Sequence, residues 1–198
     1  MQKIPWNKDK AVGAKKAFRP DEVAMIEKML ARDKSTDAIR NLALFRFAID
    51  TLLRSSDILS VKVGQVYRRG EVVEDFMVRQ TKTKKPLTCY LDDRTRKAVS
   101  QWLKVGWDFH PDPEDRLFPI SPRTYRRIVK GFAEMLRLDP EDYSTHSMRR
   151  TKAKEIYRVT KNLEVVRQAL GQSSLGATSA YLGIDKEDAE KTIRSVKI

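Results

Sequence analysis

Residues 35–53 set the terms for everything else in this chain. Ile39, Leu42, Ala43, Phe45, Phe47 and Ile49 follow one another too closely to share one stripe, so a helix here is apolar over most of its circumference. Such a helix is stable only when other elements wrap it, which calls for a domain built around it. Ser35 or Thr36 supplies the N-cap oxygen. Ahead of it, Pro20 with Asp21 and Glu22 reads as a first helical turn, after which Val23, Ile26, Met29 and Leu30 share a face. Further helices are predicted over residues 95–105, 121–137, 146–159, 163–170, 175–182 and 186–196, with a Pro/Asp-rich loop at 110–115. Between Val61 and Leu91 the pattern changes. Val61, Val63 and Val66, then Val72, Val73, Phe76 and Val78, then Leu87, Cys89 and Leu91 predict three short strands, separated by Arg68-Arg69-Gly70 and by residues 82–86. The expected fold class is mainly α with a small antiparallel β-sheet (α+β), without internal repeats.

At 198 residues and 40% hydrophobic, the chain suits one domain with a short appendage. Its formal charge is +13, from 40 Lys+Arg against 27 Asp+Glu. Solubility needs only about 2–8 charges in a small domain, so the excess points to a polyanion. No apolar run approaches the roughly 20 residues that span a bilayer, so a membrane is not expected as partner. The one cysteine, Cys89, excludes an internal disulfide, and with only His110 and His146 beside it no Cys/His zinc site can be assembled. The first residues lack the apolar core of a signal peptide, and a cytoplasmic location is expected. Residues 1–19 carry Lys3, Lys8, Lys10, Lys15, Lys16 and Arg19 without periodicity and are expected to form a basic flexible arm.

Breaking a phosphodiester without a metal requires a nucleophile, cations around the transition state and an acid for the leaving oxygen. Four stretches offer such groups. Arg54 and Asp57 lie where the apolar helix ends, and Lys82, Lys84 and Lys85 follow Gln80-Thr81 at a strand turn. Thr145-His146-Ser147-Met148-Arg149-Arg150 sets a histidine and an arginine on one helical face. The last runs from Leu170-Gly171-Gln172 to Tyr181-Leu182-Gly183. Taken singly, each residue has an ordinary explanation as a capping, surface or core group.

Together and in this order, the four stretches resemble the catalytic domain of the tyrosine recombinase (phage integrase) family, from about Ala17 to the C-terminus with the catalytic domain itself at residues 20–183, and most closely its short stand-alone members. The resemblance implies a site-specific recombinase that cleaves and rejoins DNA through a 3′-phosphotyrosine on Tyr181, without cofactor, metal or ATP. It implies that Arg54 and Arg149 clamp the phosphate, and that Lys82 protonates the leaving 5′-oxygen, with Lys84 as the alternative if the hairpin register differs. It implies that His146 helps accept the tyrosine proton and that Asp57 supports the site. The family carries histidine or tryptophan where this chain has Gln172, which can donate a hydrogen bond but cannot shuttle a proton. Implied partners are double-stranded DNA and, on synapsed DNA, a homotetramer, with a monomer when free. Residues 184–198 are expected to form a helix that docks on a neighbouring protomer or on its own domain. Phosphate contacts are expected from Lys84, Lys85, Arg123, Arg126, Arg127, Lys130, Arg150 and Lys152. The alternatives are a type IB topoisomerase-like relaxation activity and a catalytically weakened DNA-binding relative.

Overall fold

The computed structural model describes residues 15–107 and 110–183. The predicted helix at 186–196 and the first fourteen residues of the arm lie outside them. In chain order the helices are α1 (Pro20–Arg32), α2 (Thr36–Thr51), α3 (Ser55–Ile58), α4 (Val63–Val66) and α5 (Asp93–Trp107). After them come α6 (Pro122–Met135), α7 (Thr145–Thr160), α8 (Leu163–Leu170) and α9 (Leu175–Leu182).

Helix α2 is the hub. The Ser35 hydroxyl accepts the Ala38 N–H and starts it. Ala43, Leu44, Phe45, Phe47 and Ala48 are all fully buried, so protein covers most of the circumference, with Arg46, Ile49 and Asp50 half-buried on the remaining side. Helices α1, α5 and α7 pack around it. Phe132 of α6 meets Phe45 edge-on with ring centroids 4.9 Å apart, and Phe118 meets Phe47 at 5.6 Å. No helix among the described residues is long and apolar enough to cross a membrane.

The segment between α2 and α5 departs from the expected three strands. Val61, Val63 and Val66 do not form the first of them. Lys62 makes a single bridge to Arg116, and the next four residues coil into α4. The Val63 and Gly64 N–H groups are taken by the carbonyls of Asp115 (2.8 Å) and Pro113 (2.9 Å), and the Gln65 side chain caps the Lys62 N–H. A spacing of three puts Val63 and Val66 on one side of a helical turn, where both are buried, whereas a strand would point them to opposite faces. Two separate hairpins follow. Strands β1 (Tyr67–Arg68) and β2 (Glu71–Val72) turn at Arg69-Gly70, both with positive φ (53° and 84°). Strands β3 (Asp75–Arg79) and β4 (Pro86–Tyr90) pair antiparallel, with Phe76 opposite Cys89 and Arg79 opposite Pro86.

The last residues of the expected arm are not loose. Phe18 is buried, stacks on Tyr143 at 4.5 Å and meets Phe45 at 6.0 Å. The Lys16 N–H reaches the Asp142 carbonyl at 2.8 Å, and the Phe18 N–H reaches the Thr151 hydroxyl at 2.9 Å. Residues 15–19 therefore form a strap seated on α7. One aromatic in a lysine-rich run has no periodicity to announce it, yet burying it contributes about 2–3 kcal/mol. Phe18→Ala is expected to lower unfolding stability by roughly 3–5 kcal/mol, read from chemical denaturation.

A second, smaller core lies apart from the main one. Leu52, Ala153, Val166, Leu170 and Leu182 are buried together, with Tyr181 packed against them.

Candidate active site

Helix α2 ends because Leu52 adopts a left-handed backbone (φ 50°), which costs a non-glycine residue about 1–3 kcal/mol. Burial of Leu52 and Leu53 holds it there. The reversal leaves Arg54 as the residue that opens α3, half-buried, with Nη1 donating to Gln80 Oε1 at 3.0 Å. Asp57, one turn on, is fully buried; its Oδ1 accepts the Thr81 N–H at 2.8 Å, and its Oδ2 has no partner among the described residues. Asp57 thus brackets the β3–β4 turn to α3.

That turn is closed by the Gln80 N–H on the Lys85 carbonyl (3.0 Å) and the Lys84 N–H on the Gln80 carbonyl (2.9 Å), with Lys84 itself at φ 57°. Lys82, Lys84 and Lys85 are exposed on it. The Lys82 ammonium bonds to no described residue, so it is free to swing.

Ser144 caps α7, which carries His146, Arg149 and Arg150. Arg149 is 3% exposed. Its Nη2 donates to the Leu170 carbonyl at 2.6 Å, and its Nε has no partner among the described residues. Tyr181 on α9 lies beneath two guanidiniums, its ring centroid 5.5 Å from Arg149 Cζ and 4.8 Å from Arg150 Cζ. Its hydroxyl donates to the His146 carbonyl at 3.3 Å. Burial holds the Tyr181 pKa above its ordinary 10, against the downward pull of Arg149, Arg150 and Arg54. His146 opens to solvent on one side, yet the protein packed on the other side and the same three arginines hold its pKa below 6.5. Burial brings Arg149 down to about 10, which leaves it cationic at neutral pH.

Gln172 follows Gly171, whose left-handed φ of 58° ends α8. Arg167 holds the Gln172 carbonyl at 2.7 Å, and the buried Thr178 hydroxyl donates to Gln172 Oε1 at 2.7 Å. With its oxygen occupied, the Gln172 amide presents N–H donors.

The structure thus brings His146, Arg149 and Tyr181 into one cluster, and fastens the Lys82 turn to Arg54 and Asp57. The expected phosphate contacts divide. Arg123, Arg126 and Arg127 are exposed on α6, while Lys130 pairs with Glu141. Lys152 is held by the half-buried Asp50 at 3.1 Å. Arg150, expected as a phosphate contact, is buried: it donates to the Lys15 carbonyl of the strap and covers Tyr181. Sequence reasoning gave no role to Gln80 or Thr178. Both lie within the four stretches but carry no charge, and burial of a polar side chain is what singles them out.

The phage integrase family model matches residues 16–188. A probable integrase/recombinase of Bacillus subtilis, YoeC, is 28% identical over 75% of this chain and 80% of its own length. The tyrosine recombinase XerC of Caldanaerobacter subterraneus is 25% identical over 78% of this chain and 44% of its own. This chain therefore spans less than half of that relative. Among solved structures, XerH recombinase bound to its palindromic difH substrate, a post-cleavage complex, superposes with a TM-score of 0.72 at 19% identity, over 90% of this chain and 52% of that one. With a family model matched over most of its length, the chain belongs to the phage integrase family of tyrosine recombinases.

Proposed function

We propose that the chain breaks and rejoins double-stranded DNA at specific sites through a phosphotyrosine on Tyr181, with neither metal nor ATP. The carrying observation is the pair of guanidiniums over the Tyr181 ring, one of them a buried Arg149 whose Nε has no partner among the described residues. An unsatisfied buried donor is unfavourable in the free protein and invites an anionic oxygen.

In this reading Arg54 and Arg149 bind the non-bridging oxygens. The phenolic oxygen bonds to phosphorus as the bond to the 5′-oxygen breaks. The phenol proton passes to a base, a role this reading gives to His146, which is neutral at neutral pH, and the leaving oxygen takes a proton from Lys82. Gln172 donates an N–H to the phosphate. Rejoining is the reverse, with bond energy kept in the phosphotyrosine. The exposed Arg123, Arg126 and Arg127 hold flanking phosphates without reading sequence. XerH was captured on its DNA substrate after cleavage, and an analogous substrate for this chain, with a homotetramer on two synapsed duplexes, completes the reading.

The test is a nicked duplex in which the short downstream fragment bearing the freed 5′-hydroxyl diffuses away on cleavage and so traps the intermediate. Mixed with the chain in EDTA, it is expected to give an adduct stable to denaturation, with the oligonucleotide mapped by mass to the peptide holding Tyr181. No adduct, or one that requires a divalent metal, overturns the proposal.

A further inference from the structure

Gln80 is 1% exposed at the end of β3, and the reaction just described gives it no part. Its Oε1 accepts two hydrogen bonds, from Arg54 Nη1 at 3.0 Å and from the Thr83 hydroxyl at 2.7 Å. Its amide nitrogen lies so close to Gly171 that a Cβ there would stand 2.3 Å away. Its main chain closes the turn that carries Lys82, through Lys85 and Lys84. One side chain therefore touches three of the four stretches that supply the site: the start of α3, the lysine turn, and the glycine next to Gln172.

The chemistry of the group suits the place. A neutral amide oxygen accepts two donors at once and leaves the arginine its full charge. A carboxylate in the same position would pair with Arg54 and withdraw that charge from a phosphate. An alkyl side chain would leave both Arg54 and Thr83 without a common anchor. We propose that Gln80 is a positioning residue that fixes Arg54 and the Lys82 turn relative to one another, so that clamp and acid meet the same phosphate. The assignment rests on the phosphotyrosine reading above.

Two arms leave the one oxygen, and they separate experimentally. The Thr83 arm governs the turn and hence Lys82; the Arg54 arm governs the clamp. A substrate with sulfur in place of the 5′-bridging oxygen releases a thiolate, which departs without a proton, so it bypasses the acid but not the clamp. Single-turnover cleavage at saturating DNA is measured on both substrates, with Lys82→Ala as the reference for loss of the acid. Thr83→Val keeps shape and removes only the turn arm. It is expected to slow the oxygen substrate by about tenfold and to cleave the sulfur substrate at nearly the wild-type rate. Gln80→Met keeps length and removes both arms. It is expected to lose on the order of a hundredfold on oxygen, with sulfur restoring about tenfold of that. Gln80→Glu is expected to be slow on both substrates, with DNA affinity retained in all three variants.

Equal loss on the two substrates for Thr83→Val, or losses that follow lowered thermal stability or affinity, would mean that Gln80 and Thr83 only hold the fold, and the proposal falls. Wild-type rates in Gln80→Met overturn it as well, while leaving the phosphotyrosine reading intact. If the wild-type chain gives no Tyr181-dependent adduct on either substrate, that reading fails and takes this one with it. Thr83 is only half-buried on a turn, so its variant keeps the test sharp even where a change at Gln80 impairs folding.

Discussion

Tyr181→Phe is expected to abolish covalent capture of DNA while leaving binding and its salt dependence intact. The phenyl ring keeps its place under Arg149 and Arg150, so the cation–ring contacts survive. Only the hydroxyl bond to the His146 carbonyl is lost, a change of about 1 kcal/mol in stability. Removing a nucleophile costs on the order of 10⁶-fold in rate where a hydrolase has been treated this way. The phenol of Tyr181 is held above its ordinary pKa by burial and is protonated at neutral pH, so attack requires a base. His146, held below 6.5, is neutral there and able to accept. Wild-type cleavage is therefore expected to rise with pH through the lowered His146 pKa and then level off, and His146→Ala to lose that limb. A phenylalanine variant that still forms the adduct, measured on the nicked duplex, would remove Tyr181 from the chemistry.

Arg149→Ala is expected to slow single-turnover cleavage by roughly 10²–10³, the loss that follows removal of one preorganised donor from a transition state. Arg149 does two jobs. Its Nη2 satisfies the Leu170 carbonyl at the end of α8, and the rest of its fork faces the tyrosine ring with Nε unpartnered. The alanine variant should therefore also lose about 1–3 kcal/mol of stability, because a buried carbonyl is left bare. Arg149→Lys separates the roles: it keeps a cation but not the planar fork, and is expected to recover DNA affinity without recovering rate. A urea melt run beside the kinetics distinguishes slow chemistry from unfolding. An alanine variant within about tenfold of wild type would deny Arg149 the clamp, since that is only 1.4 kcal/mol of barrier.

Much of this architecture is legible along the chain because local signals and burial agree. Ser35 as cap and the unbroken apolar density behind it define α2, and Pro20 with two acids defines the start of α1. The path from Val61 to Val66 is not legible, since Val61 and Val63 alternate as in a strand while Val63 and Val66 share a helical face; the Pro113 and Asp115 carbonyls decide it. Phe18 is hidden for the opposite reason, being a lone aromatic whose partners, Phe45 and Tyr143, lie far along the sequence. In the site, the charged residues declare themselves by type and spacing. Their supports do not: nothing in Gln80 or Thr178 as residue types separates them from any surface amide or hydroxyl, and Arg150 next to Arg149 looks like one more phosphate contact until the strap is seen to hold it.

The small second core has a consequence of its own. Helix α9 has eight residues, too few to be stable alone. Its fully buried anchors are Leu182 and Thr178, with Leu182 set among the handful of side chains around Leu52 and Leu170. Detaching so small a patch takes far less free energy than dismantling the aromatic centre around Phe45. The tyrosine is thus tethered to the smaller of the two cores, and gentle warming is expected to disarm the chain before unfolding it, read as adduct formation lost at temperatures where the helical circular-dichroism signal is unchanged.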